Sequence, residues 1–174
     1  MRIALLQPSD APQYRALMLQ AYELAADAFT STAGERAAEP EAWWVNRIAD
    51  PRGMTAGFGA FQGDRLVGAV ALEFSSKPKT RHKALVIGMY VSPAARRSGA
   101  GKALLAAAMA HARSRAGTLV LTLTVTQGNE AAIKLYRAAG FEAFGTEPMA
   151  ILTPGGYRGK VHMWHRLEPA GSGA

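Results

Sequence analysis

The stretch Arg96-Arg97-Ser98-Gly99-Ala100-Gly101-Lys102 has the residue types and spacing of an anion cradle. Glycines at 99 and 101 let backbone N–H groups close on a ligand without β-carbons in the way, and the basic side chains supply charge. A diphosphate suits such a loop, above all where a helix begins inside it and adds its positive dipole end. Further along, Asn129 and Tyr136 stand seven residues apart. On a helix that is nearly two turns, so both project from one face, about 10 Å apart along the axis. An N-cap and a core tyrosine would explain either one alone. As a pair they also offer an amide and a phenol to an extended ligand.

The elements around the loop sharpen the reading. Val86, Ile87, Met89, Tyr90 and Val91 form a β-branched and aromatic run that Ser92-Pro93 ends. Gly101 opens about four turns of helix, with Leu104, Leu105, Ala108 and Ala112 on one face. Two familiar glycine loops fail on spacing. A P-loop needs glycine where Arg96 stands and Ser or Thr where Ala103 stands, and a dinucleotide fingerprint needs Gly or Ala at Leu104.

The remaining elements follow in order. Arg2 to Leu6 reads as a strand, and Ser9-Asp10 with Pro12 starts a helix to about Ala26. A loop over Phe29 to Gly34 leads to a second helix from near Pro40, carrying Trp43 and Trp44, which pack rather than form a cage because adjacent helical residues do not share a face. Thr55–Phe61 and Arg65–Phe74 are strands around the hairpin signal Gln62-Gly63-Asp64. Thr118 to Thr126 alternates as a strand, Glu130 to Ala139 is a helix capped by Asn129 and closed by Gly140, and Phe141–Ile151 and Lys160–Leu167 are the last strands. Residues 1–167 read as one domain, and 168–174 as a disordered tail rich in Pro, Gly and Ser.

Arg-x-x-Gly-x-Gly after a Val-Ser-Pro strand end and before a Leu-Leu helix resembles the acetyl-CoA-binding motif of the GNAT family of N-acetyltransferases. The segment Asn129 to Phe141 is similar to that family's second signature, and the element order matches over about residues 1–167. The resemblance implies an α/β (α+β) fold with a central mixed, mostly antiparallel sheet flanked by about four helices. It implies that Arg96, Arg97, Ser98, Gly99, Ala100, Gly101 and Lys102 hold the CoA pyrophosphate, while the main chain of Met89 and Val91 and the side chain of Asn129 hold the pantetheine. Tyr136 would be the general acid at the leaving sulfur, and backbone N–H near Met89, where relatives bulge the strand, would face the oxyanion. Phe29 and Glu147 lie in segments resembling those that border the acceptor groove in one bacterial branch. The implied reaction is direct transfer of acetyl from acetyl-CoA to a primary amine of a small molecule or peptide.

An aliphatic ammonium must lose a proton before it attacks, so a base is needed. Glu73 is the first candidate, and Glu23, Glu130 and His82 are others. His162 and His165 differ by an odd number, so on one strand they face opposite sides and cannot share a metal; no metal is expected.

The 174 residues include no cysteine, which excludes disulfides and an acyl-cysteine relay. A net charge of +7 suits an anionic partner without choosing among nucleic acid, membrane surface and a phosphorylated cofactor. The basic run Lys77 to Lys83 lacks interleaved aromatics and reads as a solvated loop rather than a strand-binding surface. No apolar run spans a bilayer and no signal-peptide core follows the N-terminus, so a cytoplasmic protein, monomer or homodimer, is expected without nucleic acid or membrane partner. A non-catalytic acyl-CoA sensor and a basic nucleic-acid binder are the alternatives from other classes.

Overall fold

The computed structural model describes residues 1–168, so the tail expected at 168–174 lies, beyond Glu168, outside the described residues. Seven strands form one sheet in the order β1-β2-β3-β4-β5-β7-β6. They are β1 (Arg2–Leu5), β2 (Thr55–Gln62), β3 (Arg65–Phe74), β4 (Lys83–Val91), β5 (Val120–Thr126), β6 (Glu142–Thr153) and β7 (Gly156–Arg166). Every neighbouring pair is antiparallel except β4 with β5. That pair needs a crossover, which α4 (Ala100–Ser114) supplies.

The helices pack on both faces of the sheet. On one face α4 and α5 (Glu130–Ala138) bury Leu104, Leu105, Ala108 and Ile133 against Leu72, Phe74, Val86, Leu121 and Leu123. On the other, α1 (Ala11–Leu24) and α3 (Glu41–Ala49) bury Tyr14, Met18, Trp44 and Ile48 against Phe61, Leu66, Ala69 and Tyr90. Gly57 admits α3 to β2 at close range, since a Cβ there would lie 2.7 Å from Ile48 Cβ.

The structure adds an element, moves a strand start and bends a strand relative to expectation. A short helix α2 (Ala33–Ala37) occupies part of the stretch between the first two expected helices. Its start is a capping box: Thr32 Oγ1 accepts from Glu35 N–H, and Glu35 accepts from Thr32 N–H. The last strand begins at Gly156, not Lys160, because β6 and β7 stay paired to the turn, where Thr153 faces Gly156. Finally, β6 bulges over Pro148 to Ala150, with Met149 at φ 50°. Proline and a bulge blunt this free edge against strand addition.

Two irregularities in β4 shape the middle of the molecule. The β4–β5 ladder covers only Lys83–Leu85 against Val120–Thr122, after which the strands part. Between Ile87 and Tyr90, β4 carries one residue more than β3 between Ala71 and Ala69, a bulge in which Gly88 takes φ 61°. A Cβ at Gly88 would come within 3.3 Å of Tyr14 Oη, so both space and backbone require glycine there.

Candidate functional site

Where β4 and β5 part, a cleft of about 670 Å³ opens between the ends of α1, α4 and α5. Met89, Val91, Arg96, Arg97, Gly99, Ala100, Gly101, Lys102 and Asn129 line it, together with Phe29, Tyr90 and Leu135. The loop, the strand end and the α5 cap singled out by residue type therefore converge on one space. Ser98 is the loop member outside the lining; its hydroxyl donates to Ala95 O at 2.7 Å.

The cradle follows from helix-end physics. Gly99 caps α4 in the left-handed region, φ 84°, and its carbonyl accepts from Ala103 N–H at 3.0 Å. The N–H groups of Ala100, Gly101 and Lys102 precede that bond and have no acceptor within the helix. A Cβ at Gly101 would sit 3.4 to 3.5 Å from Leu135 and Met89 side chains, narrowing the gap between α4, α5 and β4. Arg97 holds φ 61°, strained for a residue with a β-carbon. Arg96 Nε donates to Val91 O at 3.3 Å, which ties the basic loop to the strand end. This set of free N–H donors, guanidinium groups and a nearby lysine suits an anion carried on a narrow chain.

Asn129 and Tyr136 have different surroundings. Asn129 Oδ1 accepts from Ala132 N–H at 3.3 Å, so the cap engages its oxygen and leaves the amide NH₂ as donor. Tyr136 is buried beside the cleft without lining it, its ring edge-on to Phe141 at 5.9 Å between centroids. Burial pushes its pKa up to about 12, so at neutral pH it is a phenol and a donor.

The structure does not bring Glu73 to this cleft. Its carboxylate lies 3.6 Å from Arg47 and lines a separate hollow with Trp43, Asn46 and Arg52. Arg47 in turn borders Tyr14, whose hydroxyl approaches Gly88. An arginine between Glu73 and the β4 bulge stays protonated and relays no proton. Among the other base candidates, Glu23 lines a smaller hollow, with Asp27 and Arg158, that shares Leu24, Ala25, Ala28 and Asn129 with the cleft. Glu130 is exposed in the first turn of α5. His82 precedes β4, where its carbonyl accepts from Leu119 and Val120.

Phe29 reaches the cleft and packs edge-on against Tyr22 at 4.9 Å. Glu147 lies outside the cleft, on β6, 3.3 Å from His162 Nε2. The parity of positions 162 and 165 holds: His165 Nδ1 meets Gly140 O at 2.9 Å near the α5 core, and His162 faces the opposite side. Sequence reasoning missed Tyr90, which lines the cleft and whose hydroxyl is enclosed without a partner. An aromatic residue in a buried strand gives no separate signal. Among the described residues no group of three or more His, Asp or Glu side chains converges as a metal site, and no helix is long and apolar enough to cross a membrane.

The acetyltransferase (GNAT) family model matches residues 18–141. No curated protein matches the chain by sequence. Solved structures do. A ribosomal-protein-alanine N-acetyltransferase from Brucella melitensis superposes with a TM-score of 0.79 at 27% identity, covering 96% of this chain and 100% of that one. A phosphinothricin acetyltransferase from Sinorhizobium meliloti, solved with AcCoA, gives 0.82 at 20% identity over 98% of this chain and 94% of that one. The ribosomal-protein-S18-alanine N-acetyltransferase from Escherichia coli gives 0.72 at 21% identity over 99% and 97%. At 20 and 21% identity the last two speak to the fold alone.

Proposed function

Because the chain belongs to the acetyltransferase (GNAT) family, we propose that it transfers the acetyl group of acetyl-CoA directly to a primary amine of a small molecule or peptide. The observation that carries this reading is the cleft at the β4–β5 split, where free N–H groups of α4, Arg96, Arg97 and Lys102 share one space with Met89, Val91 and Asn129. The N–H groups from Gly99 to Lys102 would hold the pyrophosphate, with the arginines and the lysine screening its charge. The open main chain of β4 would pair with the pantetheine as an added strand, and the Asn129 amide would donate to it. The bulge at Gly88 and Met89 would turn a backbone N–H toward the thioester oxygen, where negative charge grows.

Tyr136 would hydrogen-bond the departing sulfur. With its pKa near 12 against about 8.5 for a thiol, full proton transfer is uphill by about 5 kcal/mol. Donation of a hydrogen bond is therefore its main contribution. Both substrates would be bound together, since the chain has no cysteine to carry an acyl group. A single domain over residues 1–167 would do this as a monomer or homodimer.

Release of the CoA thiol, measured with acetyl-CoA and a panel of amines (amino acids, polyamines, alanine-terminated peptides), tests the proposal. At least one amine is expected to raise thiol release above the rate without acceptor and to gain an acetyl group. A chain that binds acetyl-CoA but acetylates none of them would be an acyl-CoA sensor.

A further inference from the structure

We propose that His162, held by Glu147, is the base that takes the proton from the acceptor amine; this rests on the acetyltransferase reading above. The two side chains meet across the β6–β7 pair, with Glu147 Oε2 3.3 Å from His162 Nε2. Phe144 packs edge-on against the imidazole at 5.9 Å between centroids. Opposite His162 on β6 stands Gly145, where a Cβ would meet nothing within 4 Å, so the space beside the ring is open. The His162 side chain is 35% exposed, held on two sides and accessible on another.

Position in the sheet connects this pair to the reaction. His162 faces Thr124 across β5–β7, and Leu85 faces Thr122 across β4–β5. That ladder ends at Leu85, so Thr124 and His162 stand beyond its last pair, where β4 has left β5. Ile87 follows on β4, on the face turned away from α4 and α5, and immediately precedes the Gly88 bulge. Two paired strand spacings amount to about 10 Å, and beyond Leu85 the parting of β4 from β5 makes the gap between β4 and β7 wider than that. The acceptor amine and bridging water would fill that gap between the imidazole and the β4 bulge, a general base acting through water. The charged groups on this face near His162 are Glu147, which directly faces Lys160, and Glu142 of β6, and Lys160 and Arg158 of β7. Asp27 approaches Arg158 at 4.0 Å from the turn packed on β5 and β6, and Thr124 of β5 does not ionise.

The pair sets the tautomer. Nε2–H donates to the Glu147 carboxylate, which leaves the Nδ1 lone pair as acceptor. The ammonium gives one proton to Nδ1, and the freed nitrogen pair forms the bond to the acetyl carbon. The C–S bond breaks and its electron pair leaves with sulfur. The second proton lost by nitrogen goes to the thiolate, giving amide and CoA thiol, and His162 returns its proton to solvent. Glu147 is a positioning residue in this scheme, acting through the imidazole.

The test uses the full chain, acetyl-CoA and an aliphatic amine active in the panel, comparing wild type with His162→Gln and Glu147→Gln. For His162→Gln, kcat/KM at pH 7 is expected to fall by about 10²-fold or more. Calorimetric affinity for acetyl-CoA should stay unchanged. The deficit should shrink as pH rises toward the amine's own pKa, about 10.4 for a lysine-type amine, because solvent then deprotonates the acceptor. Glu147→Gln should fall by about tenfold, through kcat rather than KM. Turnover of His162→Gln within twofold of wild type, or a deficit constant across pH, would overturn the assignment. A wild-type chain that binds acetyl-CoA and acetylates no amine would instead overturn the reading beneath it.

Discussion

Tyr136 combines a neutral phenol, a buried ring and a place beside the cleft, and each gives a separate expectation. Tyr136→Phe should lower turnover by about 10²-fold or more while acetyl-CoA affinity is nearly kept; unchanged turnover would remove the hydroxyl from the mechanism. The same substitution has a stability signature. The folded pKa is raised from 10.0 to about 12, so the stabilisation from keeping the phenol neutral is full below pH 10 and is lost as pH rises to about 12. Tyr14 shares that behaviour, so Tyr136→Phe should reduce, and not abolish, the loss of stability measured by denaturant unfolding between pH 10 and 12. At Gly88, alanine would meet both an unfavourable φ and the Tyr14 hydroxyl. A loss of about 1–3 kcal/mol is expected from unfolding curves, and Tyr14→Phe should restore only the steric part.

At the scale of elements, the chain from β4 through the basic loop to α4 was legible, and for local reasons. A proline ends the strand, glycines open the loop, and good helix formers follow; none of these signals needs a distant partner. Gly99→Asp should abolish acetyl-CoA binding measured by calorimetry. A Cβ at Gly99 meets nothing within 4 Å, so the cause is the lost left-handed turn and a carboxylate among free N–H groups, not bulk. Surviving affinity would misplace the pyrophosphate. What was not legible depended on long-range pairing. Glu73 lies near the end of a strand beside the central one, yet α3 brings Arg47 against it, and nothing in the local sequence announces that helix's partner. His162 and Glu147 meet only because β6 and β7 pair in one register around a bulge at Pro148–Ala150. The short helix α2 is the exception: Thr32-x-x-Glu35 is a local capping signal set in a loop-like composition. Packing of α3 gives its own test. Gly57→Val would drive a side chain into Ile48 and lower the melting temperature, by the equivalent of about 1–3 kcal/mol or more.

Across the whole molecule, the two cores brace the sheet from both sides, and the sheet itself opens where β4 leaves β5. Of the basic residues behind the net charge of +7, Arg96, Arg97 and Lys102 gather at the cleft. The remaining cluster, Lys77 to Lys83, lies mostly exposed in the β3–β4 connection, away from that cleft. The measurement that tests this most directly is thermal unfolding with acetyl-CoA, CoA, Mg-ATP and short DNA, each at the same concentration. A ligand at 100 times its dissociation constant stabilises by about 2.7 kcal/mol, a readable shift. Stabilisation by acetyl-CoA and CoA, with little from ATP or DNA, is the result expected. Stabilisation by ATP or DNA with none from acetyl-CoA would contradict the account, and the basic loop would belong to another anion.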